Sequence, residues 1–309
     1  MLGHETWLLL LISVSTATGL SIFGLGVSAS RAICIAGSSF GQEDNLGDGP
    51  ARDCAMFGKA LEAKGVRVSY ALVRPKEGSS RDEVLAVLRT TFRKPSQGLN
   101  IIFYSGHGIA GNEDDGTRGA LCVGNPPDWS RLTLAELRVA ASRRGAELVG
   151  HRGRRKTYVD ACNRAYLLTL DDILEFWDGV RGAAEGAKGA RLLVVADSCY
   201  SGKLVARLRR LPNMAVEGVA IQSAGNARQT VGQPLYAFTH GGTRYENVGC
   251  LTAYLTAKQE VGAHVRWTQR GQYPQFYATW DREAAEKPSV ALDLGTGFAL
   301  RTISQPDRR

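Results

Sequence analysis

Residues 194–205 read VVADSCYSGKLV. The apolar run from Leu192 to Ala196 has the length and composition of a buried strand. It ends in Asp197, Ser198 and Cys199, and Tyr200, Ser201 and Gly202 follow. Free cysteine is among the most buried residue types, so one reading of Cys199 is structural. The other is a nucleophile at the carboxyl end of a strand, where open α/β sheets place their ligands. A partner base elsewhere in the chain decides between the two.

That base has a candidate in a second run. Asn100-Ile101-Ile102-Phe103-Tyr104 reads as a strand and ends in Ser105-Gly106-His107-Gly108. Two strands of one sheet therefore finish in His107 and Cys199. A thiol is nucleophilic as its thiolate, and an imidazole that takes or shares the proton supplies it. Glycine on both sides of His107 lets a peptide backbone come close. The N–H groups of Gly108 and Cys199 are then candidates for holding a developing oxyanion.

Working outward, Arg31 to Ala36 is a short buried strand, and Gly37 to Pro50 is a loop rich in Gly, Asp and Asn. Ala51 to Lys64 has helical spacing, with Met56, Phe57, Ala60 and Leu61 on one face. Val66 to Val73 is a strand, and Arg81 to Arg93 a helix with Val84, Leu85 and Leu88 inward. After Gly111 comes an acidic loop, then a stretch read as irregular up to Tyr166. Leu168 to Trp177 is helical. Ala190 to Ala196 and Val216 to Ser223 are further strands, and Gly249 to Lys258 a further helix. Strands alternating with helices predict an α/β fold whose sheet is largely parallel and covered on both faces. One domain over residues 31–305 is the economical division, with residues 1–30 as an apolar N-terminal segment.

The 309 residues carry a net charge of +8, with 44% hydrophobic and 22% charged residues, which is ordinary for a globular protein. No zinc-finger spacing, basic heptad helix or aromatic RNA-binding signature accompanies the charge. It reads as a solvated surface, and no nucleic-acid partner is expected. Six cysteines are scattered without a C-x-x-C pair, so zinc is poorly supported and a reducing compartment fits better than a disulfide framework. The expected location is the cytoplasm and the expected state a monomer. Trp7 to Ser30 holds no charge and is long enough to span a bilayer, but it is rich in Ser, Thr and Gly. Val27-Ser28-Ala29 has the small residues of a cleavage site, although a basic region before it is missing. Residues 7–29 are thus read either as a membrane anchor or export segment, or as an element packed on the domain. Gly24-Leu25-Gly26-Val27-Ser28-Ala29 imitates a dinucleotide motif, but a strand follows where a helix is needed.

Tyr-Ser-Gly-His-Gly at 104–108 with Asp-Ser-Cys-Tyr-Ser-Gly at 197–202 resembles the caspase superfamily, and most of all its metacaspase branch. That branch has His where this chain has Tyr200. Val219 to Ala224, Gly249 to Thr252 and Gln272 to Gln275 are similar to later family motifs, so the resemblance runs from Arg31 to Ala278. It implies a caspase-like three-layer sandwich, with a mostly parallel sheet of about six strands between helices. It implies cysteine-type peptide hydrolysis through an acyl-enzyme, with Cys199 as nucleophile and His107 as general base and acid. Protein or peptide substrates are the expected partners. A caspase-fold pseudoprotease acting as a binding module is the alternative.

Asp197 has two readings. A strand-end Asp often bonds nearby backbone. A carboxylate beside the nucleophile is also suited to a cationic side chain at P1, through charge-assisted hydrogen bonds. The resemblance implies the second reading, with Asp53 as a second acid and Ser105 as a smaller pocket residue. Around Asp53 the chain reads Gly49-Pro50-Ala51-Arg52-Asp53, and Pro50 and Arg52 depart from the family pattern. No cofactor is required by this chemistry. Calcium activation is implied through Leu170-Asp171-Asp172-Ile173, with Asp171 and Asp172 as ligands, and a helix N-terminus explains the same acids without a metal. Self-processing is expected in the basic run His151 to Lys156, read as exposed loop. The periodic Leu204, Leu208 and Leu211 make a helix of the alternative site at Arg207 to Arg210.

Overall fold

Four runs rich in β-branched and apolar residues make the centre of a sheet: β1 (Arg31–Gly37), β3 (Leu99–Gly106), β6 (Arg191–Asp197) and β7 (Val219–Ser223). Nearly every residue in them is buried, as strands covered on both faces must be. β2 (Arg67–Val73) and β10 (Gln275–Ala278) complete six strands in the order β10-β7-β6-β3-β1-β2. All neighbours are parallel except β10, which runs antiparallel to β7. The computed structural model describes residues 30–37, 46–62, 65–73, 80–96, 99–111, 119–143, 155–183, 189–211, 217–224, 238–240, 243–245, 275–279, 290–293 and 299–302. The N-terminal segment, the acidic loop with Glu113 to Asp115 and the helix expected at Gly249 to Lys258 lie outside them.

The α/β class and the mostly parallel six-stranded sheet between helices are as expected. On one face lies α1 (Gly49–Glu62), whose Phe57 stacks on Phe103 of β3 with ring centroids 4.2 Å apart. On the other lie α2 (Arg81–Thr91) and two helices from later in the chain, α5 (Leu170–Ala183) and α6 (Gly202–Arg210). Alternation along each strand divides the core. Ile102, Tyr104, Val194 and Ala196 pack on the α2 side, and Ile101, Phe103, Leu193 and Val195 on the α1 side.

The described residues of the stretch read as irregular are largely helical. Between β3 and α5 the chain forms β4 (Leu121–Cys122), a 3-10 turn at Trp129–Arg131, α3 (Leu134–Arg143), α4 (Arg155–Asn163) and β5 (Leu167–Leu168). β4 and β5 pair antiparallel. The two helices share a small core of Trp129, Leu137, Ala141, Tyr158, Cys162 and Tyr166. A capping box announces α3 in the sequence: Glu136 N–H donates to Thr133 Oγ1 at 3.3 Å, and Thr133 N–H to Glu136 Oε2 at 2.7 Å. Ser80 and Glu83 cap α2 in the same way. Arg155 and Lys156 open α4, so the basic run ends in a helix and not in a loop. The helix expected around Leu204 and Leu208 is α6.

β8 (Phe238–His240) pairs antiparallel with β9 (Thr243–Tyr245), and β11 (Val290–Asp293) with β12 (Ala299–Thr302). Among the described residues no helix is long and apolar enough to cross a membrane.

Candidate active site

The ladder between β3 and β6 pairs Tyr104 with Ala196 and Ser105 with Asp197, and then stops. Two residues further along each chain stand His107 and Cys199. They leave the carboxyl edge of adjacent central strands, one strand from where the strand order reverses between β1 and β3. Ligand crevices of open α/β sheets form at such edges.

Past the ladder, other contacts hold the two chains together. Gly106 has φ +155, and a Cβ there would stand 2.3 Å from the Gly37 carbonyl oxygen. A Cβ on Gly108 would stand 2.2 Å from the Cys199 carbonyl oxygen and 2.9 Å from Ser198 Oγ. The backbone after the histidine is thus packed on the backbone of the cysteine, and only glycine permits it. The Tyr104 hydroxyl lies 2.7 Å from the His107 carbonyl oxygen and 2.8 Å from that of Cys122, within donating distance of both.

Gly108 also forms a bridge with Leu121, flanked by Cys122 N–H donating to His107 O at 2.9 Å and Ile109 N–H to Ala120 O at 3.0 Å. In that antiparallel pattern the central residue's own amide points away from its partner. The Gly108 N–H makes no hydrogen bond among the described residues.

Cys199 begins a tight turn. Tyr200 follows in the left-handed region at φ 56, which costs a non-glycine residue about 1–3 kcal/mol. The Ser201 hydroxyl, fully buried, donates to Ser198 O at 2.8 Å, and Lys203 N–H donates to Tyr200 O at 2.9 Å to start α6. Of the five described cysteines, four are buried and Cys199 alone is half-buried. Burial pushes the Cys34 thiol up to about 12, with the Glu62 carboxylate adding to it. Burial likewise raises Cys54, helped by Cys34, Asp53 and Asp197, and raises Cys122, helped by Cys199. Such thiols stay protonated and inert at neutral pH. Ser198 Oγ is buried without a hydrogen-bond partner among the described residues.

Asp53, Ser105 and Asp197 come together on the α1 side of the sheet. Ser105 and Asp197 are register partners on adjacent strands and so point the same way. Ser105 Oγ donates to Asp53 Oδ2 at 2.7 Å. All three are buried: Asp53 is 2%, Ser105 3% and Asp197 4% exposed. The buried face of α1 is Asp53, Cys54, Phe57 and Leu61, while Met56, expected inside, is half-buried. An acid on an otherwise apolar helix stripe was visible in the sequence at spacing i, i+4, i+8 with Phe57 and Leu61.

Asp171 and Asp172 are engaged elsewhere. Asp172 Oδ2 accepts from Thr169 N–H at 2.8 Å, from the Thr169 hydroxyl and from Arg164 Nη1 at 3.1 Å, and Oδ1 lies 3.5 Å from Arg81 Nη1. Asp172 thereby caps α5 and joins it to its neighbours. Asp171 pairs with Arg207 of α6. Arginines and the helix cap thus engage these two acids in the described structure. Among the described residues no three His, Cys, Asp or Glu side chains are grouped to hold a metal ion.

No family model and no curated protein matches the chain. Among solved structures it is similar to a protein from Geobacter sulfurreducens, at 14% identity and a TM-score of 0.43, over 82% of this chain and 95% of that one. It is similar to caspase-1 from Spodoptera frugiperda, at 9% identity and a TM-score of 0.43, over 83% of this chain and 88% of that one. It is also similar to drICE, at 11% identity and a TM-score of 0.38, over 81% and 87%. At these identities and scores the likeness assigns no activity.

Proposed function

We propose that the chain is a cysteine endopeptidase of the metacaspase kind that cleaves after Arg or Lys. The observation that carries this reading is the register of β3 and β6, which directs His107 and Cys199 off the same edge of the sheet with their following and own backbones in contact. Cys199 Sγ, its proton taken by His107, attacks the scissile carbonyl carbon and forms a tetrahedral oxyanion. The unbonded Gly108 N–H and the Cys199 N–H stabilise that oxygen. His107 returns the proton to the leaving amine. Water, deprotonated by His107, then hydrolyses the thioester and frees Cys199. Asp197 and Asp53, with Ser105 between them, form the floor of a pocket for the substrate's cationic side chain, whose charge answers two buried carboxylates. The same acids repel Asp at P1.

The test uses the purified chain against fluorogenic peptides ending in Arg, Lys or Asp, each with calcium and with chelator. Arg and Lys peptides are expected to be cleaved and Asp peptides not. Cys199→Ala and His107→Ala each abolish turnover, and the double variant is no worse than either, because the pair acts as a unit. Full activity in Cys199→Ala, or a preference for Asp, overturns the reading.

A further inference from the structure

The β3–β6 ladder ends at Ser105 and Asp197, short of both proposed reactive residues. Hydrogen bonds of the sheet therefore do not set the spacing of His107 and Cys199. One side chain crosses from one segment to the other. Lys203, in the first turn of α6, donates from Nζ to the Ala110 carbonyl at 2.6 Å, across a separation of 93 residues. Ala110 lies three residues beyond His107, on the segment that runs past the β3–β6 ladder and bridges to Leu121 through Gly108. Its carbonyl also accepts the Gly119 N–H at 3.4 Å, so the lysine is bound where the loop closes back on itself.

The same ammonium stands 5.3 Å from the centroid of the Tyr200 ring, in cation–π range. Its own backbone N–H holds the Tyr200 carbonyl. Lys203 thus grips the strained left-handed residue next to Cys199 at two points and the His107 segment at a third. We infer that Lys203 is a positioning residue that locks the segment bearing His107 onto the turn bearing Cys199. This rests on the proposed Cys–His chemistry but concerns its geometry. A charge-assisted bond to a half-buried carbonyl is stronger than a neutral one, and its loss frees two segments that the sheet does not tie.

The experiment compares wild type with Lys203→Met, which keeps the stem and loses the donor, and with Lys203→Arg. Peptide mapping follows alkylation of Cys199 by iodoacetamide across pH, beside peptide turnover and the melting temperature. In Lys203→Met the thiolate is less well paired, so the alkylation profile moves to higher pH, with about a tenfold slower rate near pH 6.5. The kcat on Arg peptides falls on the order of 10²-fold with KM little changed. Lys203→Arg restores both. Coincident alkylation profiles overturn the inference. A drop in melting temperature that accounts for the loss, without rescue by arginine, overturns it too, as does failure of both Lys203→Met and Lys203→Gln to fold. A shifted profile in a chain that cleaves no peptide leaves the lock standing and removes the peptidase reading.

Discussion

At the residue scale, Asp197 bears on specificity because it belongs to the ladder's last pair and stands two residues before the nucleophile. Ser105 donates to the Asp53 carboxylate of α1, and Asp197 of β6 is its register partner on the same face. Replacing Asp197 by Asn keeps the shape and removes the charge. Leaving a substrate guanidinium half-answered in a buried pocket costs on the order of 3–5 kcal/mol, so kcat/KM for Arg and Lys peptides is expected to fall by about 10²-fold or more. Asp53→Asn costs less, since an amide oxygen still accepts the Ser105 hydroxyl. Steady-state kinetics on a matched Arg and citrulline peptide pair provide the check. If the wild type prefers the Arg peptide no more than Asp197→Asn does, the acids do not line a cation pocket. The motif residues themselves were legible because Cys199 and His107 each end an apolar run. The hydrogen bonding of Asp172 was not, because its arginine partners, Arg81 and Arg164, come from two other places in the chain.

At the scale of elements, the packed pair of helices α3 and α4 changes the self-processing expectation. A protease binds its substrate in extended form, and residues inside a helix are withdrawn from it. Arg155 and Lys156 begin α4, and Arg155 Nη2 also donates to the carbonyls of Trp129 at 2.8 Å and Ser130 at 2.9 Å. Arg207, Arg209 and Arg210 lie within α6. The expected cuts therefore follow Arg152 or Arg154. N-terminal sequencing of fragments from active enzyme, beside Cys199→Ala, reads this directly. Fragments beginning at Gly153 or Arg155 in the active form alone agree with it; an active chain that stays whole, or is cut inside α4 or α6, does not. These helices escaped the sequence reading because they are short and their apolar stripe narrow. The Thr133-x-x-Glu136 box was the local signal that marked the first of them.

At the scale of the whole molecule, Cys34 and Cys54 are buried in the core on the α1 side of the sheet, and their thiols bear on alkaline stability. An unfolded thiol ionises near about pH 8.5, whereas burial holds Cys34 protonated up to about 12. Below the first value both states keep the proton and nothing changes. Above it the unfolded chain sheds protons that the folded one keeps, so stability falls as pH rises, by about 1.4 kcal/mol per pH unit for each such thiol. Thermal melts between about pH 9 and pH 11 are expected to show a shallower decline in Cys34→Ala than in wild type. Equal slopes count against the thiol as the cause. The sequence by itself determined the class of the fold and the order of its central strands and helices, since apolar runs, their period and their end residues are local properties of the chain. It also determined which residue types end the strands at 107 and 199. Only the tertiary structure decided that β3 and β6 are neighbours in a register that aligns those ends. The same holds for the seating of Asp53 on Ser105, the bridging of Lys203 to Ala110 and the taking of Asp171 and Asp172 by arginines. Those contacts join residues far apart in the chain, and such partners are chosen by packing across the sheet, which no local pattern encodes.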